Sequence, residues 1–343
     1  MITVFAEASR RHEPPGFVVA GRIRPSPERP ERIDLLMEGV RAVGATLVEP
    51  PPVTLAEAAL VHDARYLAFL ETLVERWGRQ PDAAAYPIPN IHALGRPGLP
   101  PASYPESVIG QVGWHLGDGS APILPDTLPA ALGAAASALH GATLVLGGET
   151  LVYALSRPPG HHASADMAAG FCYLNNSALA AEALTRAGRR TAILDVDVHH
   201  GNGTEAIFYD RADVLTVSLH VDPARFYPFF WGYAAETGAG AGEGFNLNLP
   251  LPRGTGDAAY LEALGLALDR VRAFAPDVLV LAAGLDAAAD DPFQGFALSQ
   301  GGFEAIGRAV RALGVPVLAV QEGGYPSPTL GLNLAALLSG LGA

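Results

Sequence analysis

Four runs of nearly unbroken apolar residues recur late in the chain: Thr191–Val198, Val214–Val221, Val278–Ala283 and Val315–Gln321. Each has strand length and is rich in Val, Leu and Ile. Between and after them, Asn176–Ala187, Asp257–Phe274, Gln300–Leu313 and Thr329–Leu341 have apolar residues at helical spacing. Strands that are apolar on both faces and alternate with helices specify a parallel sheet covered on both sides. An Ala-rich helix, Leu128–Leu146, and a strand, Leu151–Ser156, continue the pattern upstream. The expected fold is α/β, three layers (αβα) around a mainly parallel sheet, with residues 1–343 as one domain.

The first third of the chain is less regular. Ile2–Phe5 reads as a short strand, Arg10–Pro30 as a surface loop and Arg32–Val43 as a helix. Thr54 and Glu57 form a capping-box pattern, and Ala64–Arg76 is a further amphipathic helix. Residues 80–127 are rich in Pro and Gly and read as an insertion, a length of loop that is often functional. Hydrophobic residues make up 49% and charged residues 17% of the chain, which suits a large core and excludes a disordered chain. The formal charge of −13 argues against nucleic acid or an anionic membrane as partner, because both need a basic face. An acidic surface favours small cationic molecules instead. Cys172 is the only cysteine, so no internal disulfide forms. The N-terminus lacks a signal-peptide pattern, and no apolar run reaches the roughly 20 residues of a membrane helix. A cytoplasmic protein is expected.

Polar residues gather where strands give way to Gly or Pro. In Thr191–Thr204, TAILDVDVHHGNGT, the residues Asp195, Asp197 and His199 occupy every second position at the end of an apolar run. In a strand these share one face. Their burial is costly unless something pairs with them. A divalent cation would do so, and a buried ion-pair network is the alternative. His200 points to the other face. Asp286 ends the apolar run Val278–Ala283 with no local positive partner, and Asp290 and Asp291 follow it before Pro292. His161 and His162 follow a rigid Pro-Pro-Gly turn, and Tyr325 follows Gly323-Gly324 after another strand. Gly170-Phe171-Cys172-Tyr173 supplies aromatics that could line a cavity, with Cys172 as a buried small hydrophobe. Open α/β sheets bind ligands at the carboxyl edge. The five segments together describe a metal-hydrolase site: two carboxylates and an imidazole as ligands, a His base and a Tyr donor.

The segments RPPGHHA, GFCYLNN, DVDVHHGNGT, GLDAAADDP and QEGGY resemble the signature segments of the histone deacetylase superfamily, in family order from about Arg24 to Tyr325. That resemblance implies an arginase/deacetylase-like fold. The insertion and the stretch RFYPFFWGYAAETG resemble the bacterial acetylpolyamine amidohydrolase branch, implying that the insertion forms a homodimer and narrows the site entrance. Carried over residue by residue, the resemblance implies Zn²⁺ on Asp197, His199 and Asp286, with Fe²⁺ as a competitor. It implies K⁺ near Asp195, Asp197, His199, Ser218 and Leu219, and a second K⁺ near the backbone of Phe208, Arg211 and Val214. His162 would be the base, His161 tied to Asp195 its partner, and Tyr325 the oxyanion donor. Phe171 and Tyr227 would wall a tunnel, the Gly170 carbonyl would accept the substrate amide N–H, and Arg32 would lie on the acetate-release side.

Two positions depart from the superfamily pattern. Asn202 stands where many members have Asp beside the base, removing a charge that would raise the pKa of His162. Phe293 stands at the expected tunnel rim where an acidic gatekeeper would be Glu, so Glu106 and Asp118 become the candidates for reading substrate charge. The implied reaction is zinc-dependent removal of acetyl from small acetylated polyamines. The alternatives are deacetylation of acetyl-lysine in proteins and non-catalytic binding of acetylated ligands. A binuclear manganese ureohydrolase is disfavoured, since the extra ligands for a second metal are not evident.

Overall fold

The computed structural model describes residues 1–343 apart from Leu94, Arg96, Pro97 and Leu99, so part of the expected insertion lies outside the described residues. Among the described residues there are ten strands: β1 (Ile2–Val4), β2 (Phe17–Val19), β3 (Arg22–Arg24), β4 (Thr46–Val48), β5 (Leu151–Ala154), β6 (Thr191–Asp195), β7 (Val214–Val221), β8 (Asn246–Leu251), β9 (Val278–Ala283) and β10 (Val317–Gln321). Eight form one sheet in the order β4-β1-β5-β10-β9-β6-β7-β8, and every pairing within it is parallel. The chain runs from β5 to β6, outward to β7 and β8, and back to β9 and β10. This reversal leaves a crevice at the carboxyl ends of the central strands, where such sheets bind ligands.

The strands are apolar on both faces because helices cover both. Ala192, Leu194, Leu215, Val217, Leu279 and Leu281 point to one side, against helices Glu31–Ala42, Asp257–Phe274, Gln300–Arg311 and Leu330–Leu341. Ile193, Val214, Val278 and Val280 point to the other, against Thr127–Leu146 and Asn176–Arg186. By length and composition Thr127–Leu146 could cross a membrane, contrary to the expectation from apolar runs. Here its Ala138, Ala142 and Val145 lie against Val152, Ala154, Leu318 and Val320 of the sheet.

Three expectations need correction. Arg10–Pro30 is not simply a loop: it holds the antiparallel hairpin β2–β3. The insertion contains a helix, Val108–His115. The central strand stops at Asp195, so Asp197 and His199 are not strand residues. Their two-residue spacing has a different cause. Asp195 Oδ1 accepts the Asp197 N–H at 3.0 Å, and Asp197 Oδ1 accepts the His199 N–H at 2.9 Å. Each carboxylate thus satisfies the backbone two residues on, as Asx turns do, where the strand ladder gives out. Val196 and Val198 still face the same core as Ala192 and Leu194, which turns the polar side chains the other way.

Candidate active site

Asp197 and His199 follow β6, and Asp286 follows β9. His199 Nδ1 lies 3.2 Å from Asp197 Oδ1 and 3.1 Å from Asp286 Oδ2. One ligand atom from each of the three falls within 4.8 Å of the others. Backbone amides fix the remaining carboxylate oxygens: Val198 N–H donates to Asp286 Oδ1 at 3.0 Å, and Gly323 N–H to Asp197 Oδ2 at 2.7 Å. A Cβ at Gly323 would stand 2.2 Å from Asp286 Oδ2, so only glycine fits there. Both carboxylates are fully buried, and among the described residues no arginine forms an ion pair with either. Burial and the neighbouring Asp197 push Asp286 up to about 6. Burial opposes charge on His199, yet its bonds to Asp197 and Asp286 hold it up at about 9. Two crowded carboxylates and one imidazole are a donor set that a divalent cation relieves, and three N/O ligands suit catalytic zinc.

His161 and His162 lie beside this set, ring centroids 4.1 Å apart, and His162 is 5.8 Å from His199. His161 Nδ1 bonds Asp195 Oδ2 at 2.9 Å. Burial works against its charge, but Asp197 and Asp195 raise it to about 10. His162 Nδ1 bonds Asn202 Oδ1 at 2.7 Å. With that oxygen accepting, His162 carries its proton on Nδ1 and leaves Nε2 as a base. Burial, and after it the charge on His161, holds His162 well below its ordinary value, which favours the neutral ring. Glu322 fixes the turn that carries both rings. Its Oε2 accepts from Gly160 N–H at 2.6 Å and His161 N–H at 3.0 Å, and its Oε1 from the Ser177 hydroxyl at 2.6 Å. His161, Cys172 and Glu322 also lie close enough to hold an ion. Those atoms are committed elsewhere, however, and burial keeps the Cys172 thiol protonated.

Tyr325 is buried with its ring 5.0 Å from that of Phe293, and its backbone N–H donates to Asp291 Oδ2 at 3.1 Å. The Arg32 guanidinium stacks 4.9 Å from the Tyr325 ring. It also donates to the Gly324 and Glu322 carbonyls, at 2.6 Å each. Glu28 joins Arg32 and Arg157 at 2.9 Å each, with all three side chains fully buried. Removing one member of such a group strands the others without compensation. Glu28→Ala is therefore expected to cost about 3–5 kcal/mol of stability in chemical denaturation. A loss under 1 kcal/mol would show that the two guanidinium groups are held by backbone carbonyls alone.

Aromatic rings wall the approach. Phe171 lies 5.8 Å from Tyr325 and 6.4 Å from Phe293, and Phe17 of the hairpin is 5.4 Å from Phe171. Phe293 is 5.3 Å from His199, and Tyr227 is 4.9 Å from His162, edge to face. Gly170, at φ +52°, has no room for a side chain, since a Cβ would meet His162 Cδ2 at 2.3 Å. Asp118 is in this wall, with its carboxylate bonded to protein donors. Glu106 is an exposed surface residue. A match to the histone deacetylase domain model spans residues 26–341. The chain belongs to the histone deacetylase family. Within reach of it are the acetylpolyamine amidohydrolases of Burkholderia pseudomallei (strain 1710b), 43% identical over 100% of this chain and 99% of that protein, and of Mycoplana ramosa, 41% identical over 99% of each. A crystal structure of acetylpolyamine aminohydrolase from Burkholderia pseudomallei superposes with a TM-score of 0.95 at 44% identity, covering 100% of this chain and 99% of that one.

In this histone deacetylase family member the structure brings together the predicted Asp195, Asp197, His199, Asp286, His161, His162, Asn202, Gly170, Phe171, Tyr227, Phe293 and Tyr325. His200 lies apart, paired with Glu205 at 3.2 Å. Glu28, Asp291, Glu322 and Phe17 also belong to the site, with no role evident for them in the sequence alone. Asp291 sits two residues before Phe293, whose N–H it also accepts at 2.9 Å. Its burial beside Asp286 raises it to about 8. An Asp-Pro pair directly preceding a cavity aromatic was the available signal.

Proposed function

We propose that this protein is a zinc-dependent amidohydrolase that removes acetyl groups from small acetylated polyamines. The reading rests on one observation: Asp197, His199 and Asp286 converge beside a His pair and Tyr325, in a chain aligned end to end with acetylpolyamine amidohydrolases. Those three residues would hold the ion, with Fe²⁺ as the competing metal. When bound, such an ion polarises the amide carbonyl and acidifies water.

The chain's own residues do the rest. His162, neutral with a free Nε2, takes the proton of the attacking water and returns it to the leaving amine. Asn202 fixes the tautomer without adding negative charge. His161, held protonated by Asp197 and Asp195, keeps positive charge beside the base. Tyr325 donates its hydroxyl to the oxyanion that develops on the acetyl carbonyl, a contact typically worth about 10²–10³ in rate. Phe171, Tyr227 and Phe293 hold a methylene chain between their rings. Phe229, 6.3 Å from Tyr227 and 49% exposed, and the exposed Trp231 offer aromatic faces to the distal ammonium. A structural K⁺ would sit beside Asp195, Ser218 and Leu219, a reading supported by a small cavity that Asp195 and Ser218 border.

The test is a kinetic comparison. N-acetylputrescine, N-acetylcadaverine and N-acetylspermidine are expected to show higher kcat/KM than an acetyl-lysine peptide. The reverse order would make the protein an acetyl-lysine deacetylase.

A further inference from the structure

We infer that Asp118 is a positioning residue that locks both walls of the tunnel against the catalytic base, rather than a receptor for substrate charge. The inference rests on the hydrolase reading above. A single oxygen, Asp118 Oδ2, accepts the Tyr227 hydroxyl at 2.6 Å and the Gly170 N–H at 3.1 Å. The other, Oδ1, accepts the Ser120 N–H at 2.7 Å. Both oxygens are thus engaged by groups of the protein itself.

What Asp118 holds is the immediate surround of His162. The Tyr227 ring stands edge-on to the imidazole at 4.9 Å and 86°. A Cβ at Gly170 would fall 2.3 Å from His162 Cδ2 and 3.0 Å from the Tyr227 hydroxyl, so the three groups touch. The tie crosses the sequence: Asp118 comes from the insertion, Gly170 from the segment after the His pair and Tyr227 from the loop after β7. The insertion is zipped to the Gly170 segment as well. Gly117 N–H donates to the Ala168 carbonyl and Ala168 N–H to the His115 carbonyl, both at 2.8 Å. Asp118 therefore transmits the placement of the insertion to the base and to the Gly170 carbonyl, with no contact to a reacting atom.

A charge receptor and a positioning group leave different kinetic marks. Kinetics of D118A, D118N, Y227F and the D118A/Y227F double variant separate them, using N-acetylputrescine and its uncharged analogue N-butylacetamide. We expect D118A to lower kcat about tenfold to a hundredfold on both substrates, the scale set by misplacing a reacting group by about 1 Å. D118N, which keeps an accepting oxygen, recovers most of that loss. Y227F lowers kcat in the same direction, and the double variant falls little below D118A, because both single changes break one link. A KM increase confined to the charged substrate would overturn the inference in favour of a charge receptor. Strictly additive losses, or a Y227F enzyme with unchanged kcat, would also overturn it, and Y227F removes only a hydroxyl and so leaves the fold intact. Wild-type protein that turns over neither substrate would overturn the hydrolase reading itself, whereas these outcomes in an active wild type strike Asp118 alone.

Discussion

Asp197→Ala protein is expected to lose its metal, and with it about 10³–10⁴ of its rate, the equivalent of the several kcal/mol that a catalytic ion supplies. The substitution removes two things at once. It deletes the oxygen 3.2 Å from His199 Nδ1, leaving one carboxylate and one imidazole, too few for a three-ligand site. It also deletes the acceptor of the Gly323 N–H, which anchors the turn leading to Tyr325. Metal content by elemental analysis and kcat/KM on N-acetylputrescine read the two effects separately. A variant that keeps one ion per chain and activity within tenfold of the parent would mean that the ion sits elsewhere.

His162→Ala should behave in the opposite way toward the metal. The imidazole bonds Asn202 and packs at a tilt against His161, and among the described hydrogen bonds none joins it to Asp197, His199 or Asp286. Metal content should therefore match the parent, while kcat falls about 10²–10⁴, the usual worth of a placed acid–base group. Its ring centroid is 5.8 Å from that of His199, close enough for both to serve the same substrate atom, while the ligand atoms that converge are those of Asp197, His199 and Asp286. If kcat stays within tenfold while the metal is retained, the base is another group, and His161 would be the next to replace.

The central strands were legible because burial on both faces leaves a run of Val, Leu and Ile that polar loops cannot imitate. The site was legible for a related reason: Asp, His and Tyr at the ends of such runs contrast sharply with what precedes them. Their true local structure was not legible. An Asx turn and a strand produce the same two-residue spacing, and only the hydrogen bonds from Asp195 to Asp197 and from Asp197 to His199 tell them apart. β8 escaped notice because Pro250 and two Asn residues weaken its strand character, which an edge position tolerates. The helix Val108–His115 was hidden by Gly110 and Gly113, poor helix formers. A Cβ at Gly113 would lie 2.0 Å from the Ile91 carbonyl, so packing against the insertion, not propensity, selected that glycine. Glu28 and Glu322 look like ordinary surface acids in the sequence, since nothing local announces that partners 129 and 145 residues away will bury them.

The carboxylates of Asp197 and Asp286 are held by amides from remote segments, across 126 residues for Gly323 and 88 for Val198. An unfolded chain has no such arrangement, so the ion can bind tightly only after the whole sheet has closed. Occupancy and global stability are then one linked equilibrium: each tenfold excess of free metal over its dissociation constant adds about 1.4 kcal/mol to the native state. Thermal midpoints would climb with added ion, and chelators would act on this protein as denaturants do.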